Sequence, residues 1–400
     1  MVELTENECL TIVKKVIGPN SFNILNYSTK RFGDFLGYLG EYYRLIITVR
    51  INSCEIQDLQ FFVKSLPIVD FRNRRDMLIE TGIFCKEMKI YESLLQKFVE
   101  FEKLHDDNEM WCPTIYLVRD DLIVFNDLTI IDYKVLPFST FDFTQQHVEA
   151  TLKSLANLHA CSIAYEKKEK ISIGKEFSDI LFETSITDIP WFTAGLKIIK
   201  VIARDEFGIE NSDEFYDKIF GVIEIMEKSP FDIPKVLCHR DIWKNNLMFR
   251  NDPLNCVLID FQTSRYLSLS VDVTMAIICT TKRAHYEDMM SYYLQFYYQQ
   301  LESKLSKFSI NLKNIMKYQN FLKSCQYHKK VLLVYNTLVV TETQVPEELF
   351  NDFSKEDHVE YLGGDRWRLV KRFMDKDAMF KQRILESVEA VIDEFCDQKN

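Results

Sequence analysis

Three oxygen-bearing side chains, Asp241, Asn246 and Asp260, fall close together in the segment VLCHRDIWKNNLMFRNDPLNCVLIDFQ, residues 236–262. A turn signal, NDPLN, separates two apolar runs at 247–249 and 256–259, and this predicts a β-hairpin. With Pro253 at its centre, Asn246 faces Asp260 across the hairpin. Directly opposed side chains have Cβ atoms about 4.5–5.5 Å apart. An amide oxygen and a carboxylate so placed are hard ligands, suited to Mg²⁺ together with phosphate oxygens. Asp241 lies on the loop leading into the hairpin, five residues before Asn246. A carboxylate there can accept or orient the proton of an attacking hydroxyl. Positioning, charge neutralisation and one oriented nucleophile are what phosphoryl transfer requires. The spacing His-x-Asp-x4-Asn, with Asp-Phe 14 residues after Asn246, is far more specific than any of its parts.

Other elements must position these groups. Residues 41–51 (EYYRLIITVRI) and 58–66 (DLQFFVKSL) are rich in β-branched and aromatic types and predict two strands. Gly33, Gly37 and Gly40 precede the first; close backbone approach to phosphates and a plain turn both fit them. Phe84, Met88, Tyr91, Leu95 and Phe98 form the stripe of an amphipathic helix. Glu87 lies on or beside that stripe and needs a partner, as does Lys64 in the apolar strand FFVK. They pair with each other, or both reach solvent along their stems. Beyond residue 125 most segments have helical spacing.

At this point the sequence resembles a known family. HRDIWKNN resembles the catalytic loop of the protein kinase-like superfamily, and IDFQ its metal-binding loop. His-x-Asp-x-Trp-x-x-Asn with Asp-Phe-Gln is most similar to the ecdysteroid kinase-like, or CHK kinase-like, group, related to choline kinases and aminoglycoside phosphotransferases. FCKEMKIYESLL resembles that family's Glu- and Tyr-bearing helix, IVFNDL its hinge and LANLHA its following helix. The resemblance implies an α+β, bilobal protein kinase-like fold. Residues 1–125 would be a small β-rich N-lobe with one key helix, and 126–400 a larger, mainly helical C-lobe, with the family core at about 124–310. It implies ATP and Mg²⁺ as cofactors. Lys64, held by Glu87, would contact the α/β-phosphates, with Gly37 and Gly40 in the phosphate loop. The backbone at Asn126, Asp127 and Leu128 would bind adenine, Asp241 would be the catalytic base, and Asn246 and Asp260 would hold Mg²⁺. His239 and Asp272 would support the loop. Two positions depart from the family pattern: Arg240 stands where relatives usually have Gly, and Asn126 where Glu is usual.

The implied acceptor is a small-molecule alcohol, because only a few residues separate Gln262 from Asp272 and no Ala-Pro-Glu occurs. Trp243, Tyr293 and Tyr297 are candidate linings of an apolar acceptor pocket, with ordinary helix core as the plainer reading of the Tyr-rich stretch at 286–298. A lipophilic acceptor, ecdysteroid-like or a xenobiotic conjugate, is the expectation; a choline/ethanolamine-type kinase and a ligand-binding pseudokinase are the alternatives. The net charge of −11 excludes broad nucleic-acid binding. Ten Cys with no CxxC pair read as reduced thiols of a cytoplasmic protein. No apolar run reaches membrane-spanning length, and the stretch at 331–340 reads as a buried helix or strand. His159 reads as a helix-packing residue. GxxxxGK[ST], GxSxG and HExxH are absent, which removes P-loop and common hydrolase chemistry. Oligomeric state is not legible.

Overall fold

A computed structural model describes the chain except for residues 1, 19, 33–39, 53–54, 69–73, 106–108, 138, 229, 346–356, 358–359, 362–364 and 397–400. Gly33 and Gly37 therefore lie outside the described residues. The chain forms two compact units. The first comprises residues 1–136 with 245–262, and the second 137–244 with 263–400. The fold is α+β, with a β-rich first unit and a mainly helical second one.

The first unit is built on a five-stranded antiparallel sheet of order β1-β2-β3-β5-β4. Its strands are β1 (Phe22–Arg31), β2 (Glu41–Ile51), β3 (Glu55–Ser65), β4 (Ile115–Arg119) and β5 (Leu122–Asn126). Alternation along β2 buries Tyr43, Leu45, Ile47 and Val49 on one face. Leu59, Phe61 and Val63 of β3 join them, and the helix Glu6–Ile17 covers this core with Cys9, Ile12 and Val13. Lys64 points to the opposite face because it follows Val63 in the pleat. The predicted helix starts at Ile83, passes through a π-helical turn at Tyr91–Leu95, and ends at Lys103. All five residues of its predicted stripe are buried. Strand β1 escapes the sequence reading because it is mostly exposed and lacks a hydrophobic alternation. The hairpin β7 (Leu247–Asn251) and β8 (Leu254–Leu258) completes this unit.

The second unit contains a two-stranded ribbon, β6 (Lys235–Cys238) with β9 (Arg265–Ser268), and packed helices. The longest are Gln145–Glu169, Arg283–Lys307 and Tyr318–Thr343. The apolar stretch at 331–340 lies in the last of these and is largely buried there. Among the described residues no helix is long and apolar enough to cross a membrane, and nine cysteines are free.

Helix Pro190–Phe207 approaches helix Tyr318–Thr343 closely at Gly195. A Cβ built there would lie 2.5 Å from Leu338 Cγ. Alanine gains about 0.5–1 kcal/mol of helix propensity over glycine. Overpacking a close-packed contact costs about 1–3 kcal/mol, so it outweighs that gain. Gly195→Ala is therefore expected to lower the denaturant midpoint without changing the slope of the transition.

Candidate active site

In the first unit, three charged side chains meet. Lys64 Nζ donates to Glu87 Oε2 at 2.6 Å and to Asp260 Oδ1 at 3.1 Å. The side chains of Lys64 and Glu87 are only 7% and 1% exposed, whereas Asp260 keeps 23%. So of the two sequence alternatives, the structure takes the pair, and Asp260 joins it. Burial opposes an ammonium, but the charges of Asp260 and Glu87 outweigh it and raise the Lys64 pKa. Glu87 is pushed up to about 7, first by burial and then by the like charge of Asp260, against the pull of Lys64. With both carboxylates ionised this cluster carries one excess negative charge. Gly40 lies beside the stem of Lys64, where a Cβ would be 3.5 Å from Cγ and Cε.

Tyr91, on the same helix as Glu87, fixes the Asp-Phe pair. Its ring packs edge-on against Phe125 at 4.9 Å and Phe261 at 5.5 Å. Burial, foremost, raises the pKa of its hydroxyl well above the ordinary value, and the nearby backbone of Asp260 opposes this.

The hairpin register corrects the sequence reading by one residue. Leu247 pairs with Leu258 and Asn251 with Leu254, so the turn is centred between Asp252 and Pro253. Loop length fixes the register of a hairpin, and here the loop is the two residues Asp252 and Pro253. Asn246 consequently lies across from Ile259, whose N–H donates to the Asn246 carbonyl at 3.0 Å. A one-residue shift would send an ordinary strand side chain to the other face. Asp260, however, has left the strand: its φ of 66° is left-handed, and its carboxylate reaches Lys64.

The segment expected to contact adenine ends β5. Asn126 Oδ1 accepts from the Thr114 N–H at 2.8 Å, so its side chain braces β5 internally. Asp127 is 1% exposed, ion-paired with Arg44 at 3.1 Å, and accepts from the Thr129 N–H. It caps the short helical turn that begins at Leu128.

In the second unit a fully buried carboxylate, Asp272, organises the loop after β6. It accepts from the backbone N–H of His239 at 2.5 Å and of Arg240 at 2.9 Å. His159 Nε2 lies 3.2 Å away, and its Nδ1 is 2.7 Å from the Tyr297 hydroxyl. Burial pushes the Asp272 pKa up, but these hydrogen bonds and the neighbouring imidazoles hold it below its ordinary value. His159 is thus a buried core residue that also orients Asp272. The Asp241 N–H donates to His239 Nδ1 at 3.3 Å, and Asp241 Oδ1 accepts from the Tyr335 hydroxyl at 3.0 Å.

Tyr335 was not singled out from sequence. The one tyrosine of the apolar stretch at 331–340 needs a partner for its hydroxyl, and that is the available signal. Trp243, on the same loop as Asp241, is partly exposed. Tyr293 and Tyr297 are corrected as pocket linings. Both are 0% exposed, and their hydroxyls are taken by His285 and His159. They belong to the packed helix core.

Lys244 and Arg383 sit over the same Phe141 ring, at 5.0 and 4.4 Å. Burial first, and the charge of Arg383 second, push the Lys244 pKa down to about 8.

Two tests follow from these charges. Lys64→Met leaves Glu87 buried without its counter-charge and is expected to cost about 3–5 kcal/mol at pH 8. Glu87 has a folded pKa above its unfolded one, so its contribution is present at low pH and lost as pH rises through about 7. Urea denaturation should therefore find Lys64→Met much closer to the wild type at pH 5.5 than at pH 8. Separately, the Lys244 amine should titrate near pH 8 by NMR of reductively methylated protein. Arg383→Met should raise that value only partway toward 10.5, because burial remains.

The family model for the ecdysteroid kinase-like family matches residues 35–310. The fold is similar to that of an ethanolamine kinase from Plasmodium vivax, at 11% identity and a TM-score of 0.41, covering 96% of this chain and 93% of that one. It is similar to a type I macrolide 2′-phosphotransferase at 12% identity and a TM-score of 0.37, covering 87% and 96%. A choline/ethanolamine kinase family protein from Mesorhizobium loti matches at 12% identity and a TM-score of 0.33, covering 86% and 88%. No curated protein matches the sequence. At these TM-scores the structural likeness carries no argument, whereas the sequence match spans more than half of the chain: this protein belongs to the ecdysteroid kinase-like family.

Proposed function

We propose that the protein is a small-molecule kinase that transfers the γ-phosphoryl group of Mg·ATP to a hydroxyl of a small, lipophilic alcohol, ecdysteroid-like or a xenobiotic conjugate. The observation that carries this reading is the ammonium of Lys64 held between Glu87 and Asp260. A buried lysine fixed by one carboxylate and shared with a second, more exposed one is a receptor for phosphate oxygens beside a cation site. Family membership supports the same chemistry.

The residues fit a divalent cation. Asn246 and Asp260 offer hard oxygen donors, and the cluster around Asp260 has an excess negative charge for a cation to neutralise. When bound, Mg²⁺ would screen the phosphate oxygens and the charge that builds up on transfer. Lys64 binds the α/β-phosphates while Glu87 holds its ammonium in place. Gly37 and Gly40 serve the phosphate loop, and backbone groups at Asn126, Asp127 and Leu128 take the adenine. The Asp241 carboxylate accepts the proton of the acceptor hydroxyl. That oxygen bonds to the γ-phosphorus, the bond to the β–γ bridging oxygen breaks, and ADP leaves. His239 and Asp272 keep the loop in the conformation this step needs. Trp243, partly exposed beside Asp241 in sequence, is the remaining candidate to line an apolar acceptor. The free cysteines, most of them buried, fit a reducing cytoplasmic setting.

Asp241→Asn should lower ester formation by about 10²–10⁴-fold, the usual contribution of a general base, while ATP affinity is retained. The measurement is phosphate-ester production from Mg·ATP across a panel of ecdysteroids, glycosylated lipophilic compounds, choline and ethanolamine, with ATP binding followed by calorimetry. Ester from choline or ethanolamine alone would replace the lipophilic acceptor with a cationic one. ATP binding with no ester from any acceptor would replace the kinase reading with a ligand-binding one.

A further inference from the structure

We propose that Glu183 and Arg240 form a positioning device for Asp241, an ion pair that fixes the residue next to the base in a left-handed backbone conformation. This rests on the reading of Asp241 as the base. Arg240 has a φ of 71°, a region that side-chain-bearing residues rarely adopt. Glycine is the residue that takes this conformation without strain. Arginine instead needs something to hold it there.

The structure supplies an anchor at each end of the residue. On the backbone side, the Arg240 N–H donates to Asp272 Oδ1 at 2.9 Å. On the side-chain side, the guanidinium is 0% exposed, and its Nη2 donates to Glu183 Oε1 at 2.7 Å and to Ser185 Oγ at 3.1 Å. Its Nη1 lies 3.5 Å from Met226 Sδ.

Glu183 is itself held rigidly. Its Oε1 accepts from the backbone N–H groups of Thr184, Ser185 and Ile186 at 3.0, 2.8 and 3.0 Å. Its Oε2 accepts from Arg265 Nη1 at 2.7 Å. The carboxylate is thus a fixed post, built from a tight turn at 183–186 and braced by β9. Arg240 stands between His239 and Asp241, so fixing its φ fixes the direction in which Asp241 leaves the loop.

A buried ion pair is weak evidence for net stability. Here Arg240 Nε is moreover buried without a partner, which is a cost. What the pair supplies is a single backbone conformation beside the base.

The test uses Arg240→Gly and Glu183→Gln in the full chain. Arg240→Gly removes the strain, so a merely tolerated arginine predicts unchanged or higher stability, unchanged turnover and unchanged loop protection. A positioning arginine predicts a retained fold, with amide hydrogen exchange of the peptide covering 239–246 at least tenfold faster. It also predicts kcat at least tenfold lower with the KM for Mg·ATP unchanged. Glu183→Gln, which keeps the shape and one side-chain oxygen to accept from the backbone N–H groups of 184–186, should show the same pattern in weaker form, and it carries the test if Arg240→Gly fails to fold. Unchanged exchange in the folded variant, or unchanged kcat in an enzyme that turns over, overturns the proposal. If the wild type forms no ester from any acceptor, the kinase reading fails on its own, and exchange still decides whether the pair holds the loop.

Discussion

Charge balance around one buried ammonium governs the first unit. Lys64 leaves β3 on the face away from the apolar core, into surroundings where an isolated cation is not tolerated. Two carboxylates from far apart in sequence answer it, Glu87 from a helix and Asp260 from the end of a hairpin. Much of the surrounding architecture serves this meeting. The pleat of β3 aims the lysine, the apolar stripe of the helix fixes the rotation that presents Glu87, and Tyr91 braces Asp260 and Phe261. The cluster is over-supplied with negative charge. Such an arrangement is costly as pure scaffolding, and that excess charge is what the proposed cation would neutralise.

Asp272 plays the corresponding part in the second unit. It is completely buried, and hydrogen bonds from two consecutive backbone amides and an imidazole compensate its charge. Two consecutive N–H groups converging on one carboxylate bend the chain after His239, and that bend orients Asp241. The histidine of LANLHA belongs to this support, since its ring links Asp272 to Tyr297. The two units thus solve the same problem in different ways. In each, a buried charge with few alternatives fixes the geometry of a neighbouring group that is freer to act.

The chemistry-bearing residues were legible because polar groups stranded in apolar patterns stand out. Lys64 in FFVK and Glu87 on an apolar stripe each advertised a missing partner, although only the fold showed that they share one another and Asp260. The hairpin was legible from NDPLN, but its register was not. NDPLN suggests a turn centred on Pro253, whereas the two-residue loop of Asp252 and Pro253 sets every pairing partner one residue away from that reading. Strand β1 was invisible because its exposure removes the alternation on which strand recognition depends. Tyr293 and Tyr297 illustrate the converse: aromatic richness looks the same in a pocket and in a core, and only burial and hydrogen-bond partners separate the two.

The sequence by itself determined the reaction class to expect, the family resemblance and the charged residues involved, because these depend on residue type and short-range spacing. Tertiary structure alone decided how those residues are held. It turned Asp260 out of its strand with a left-handed backbone, brought Tyr335 to Asp241 from 94 residues away, and set Glu183 against Arg240 from 57 residues away. Such pairings carry no local signature. They arise where distant elements leave a buried polar atom with one neighbour able to satisfy it, and that neighbour is known only once the chain has folded.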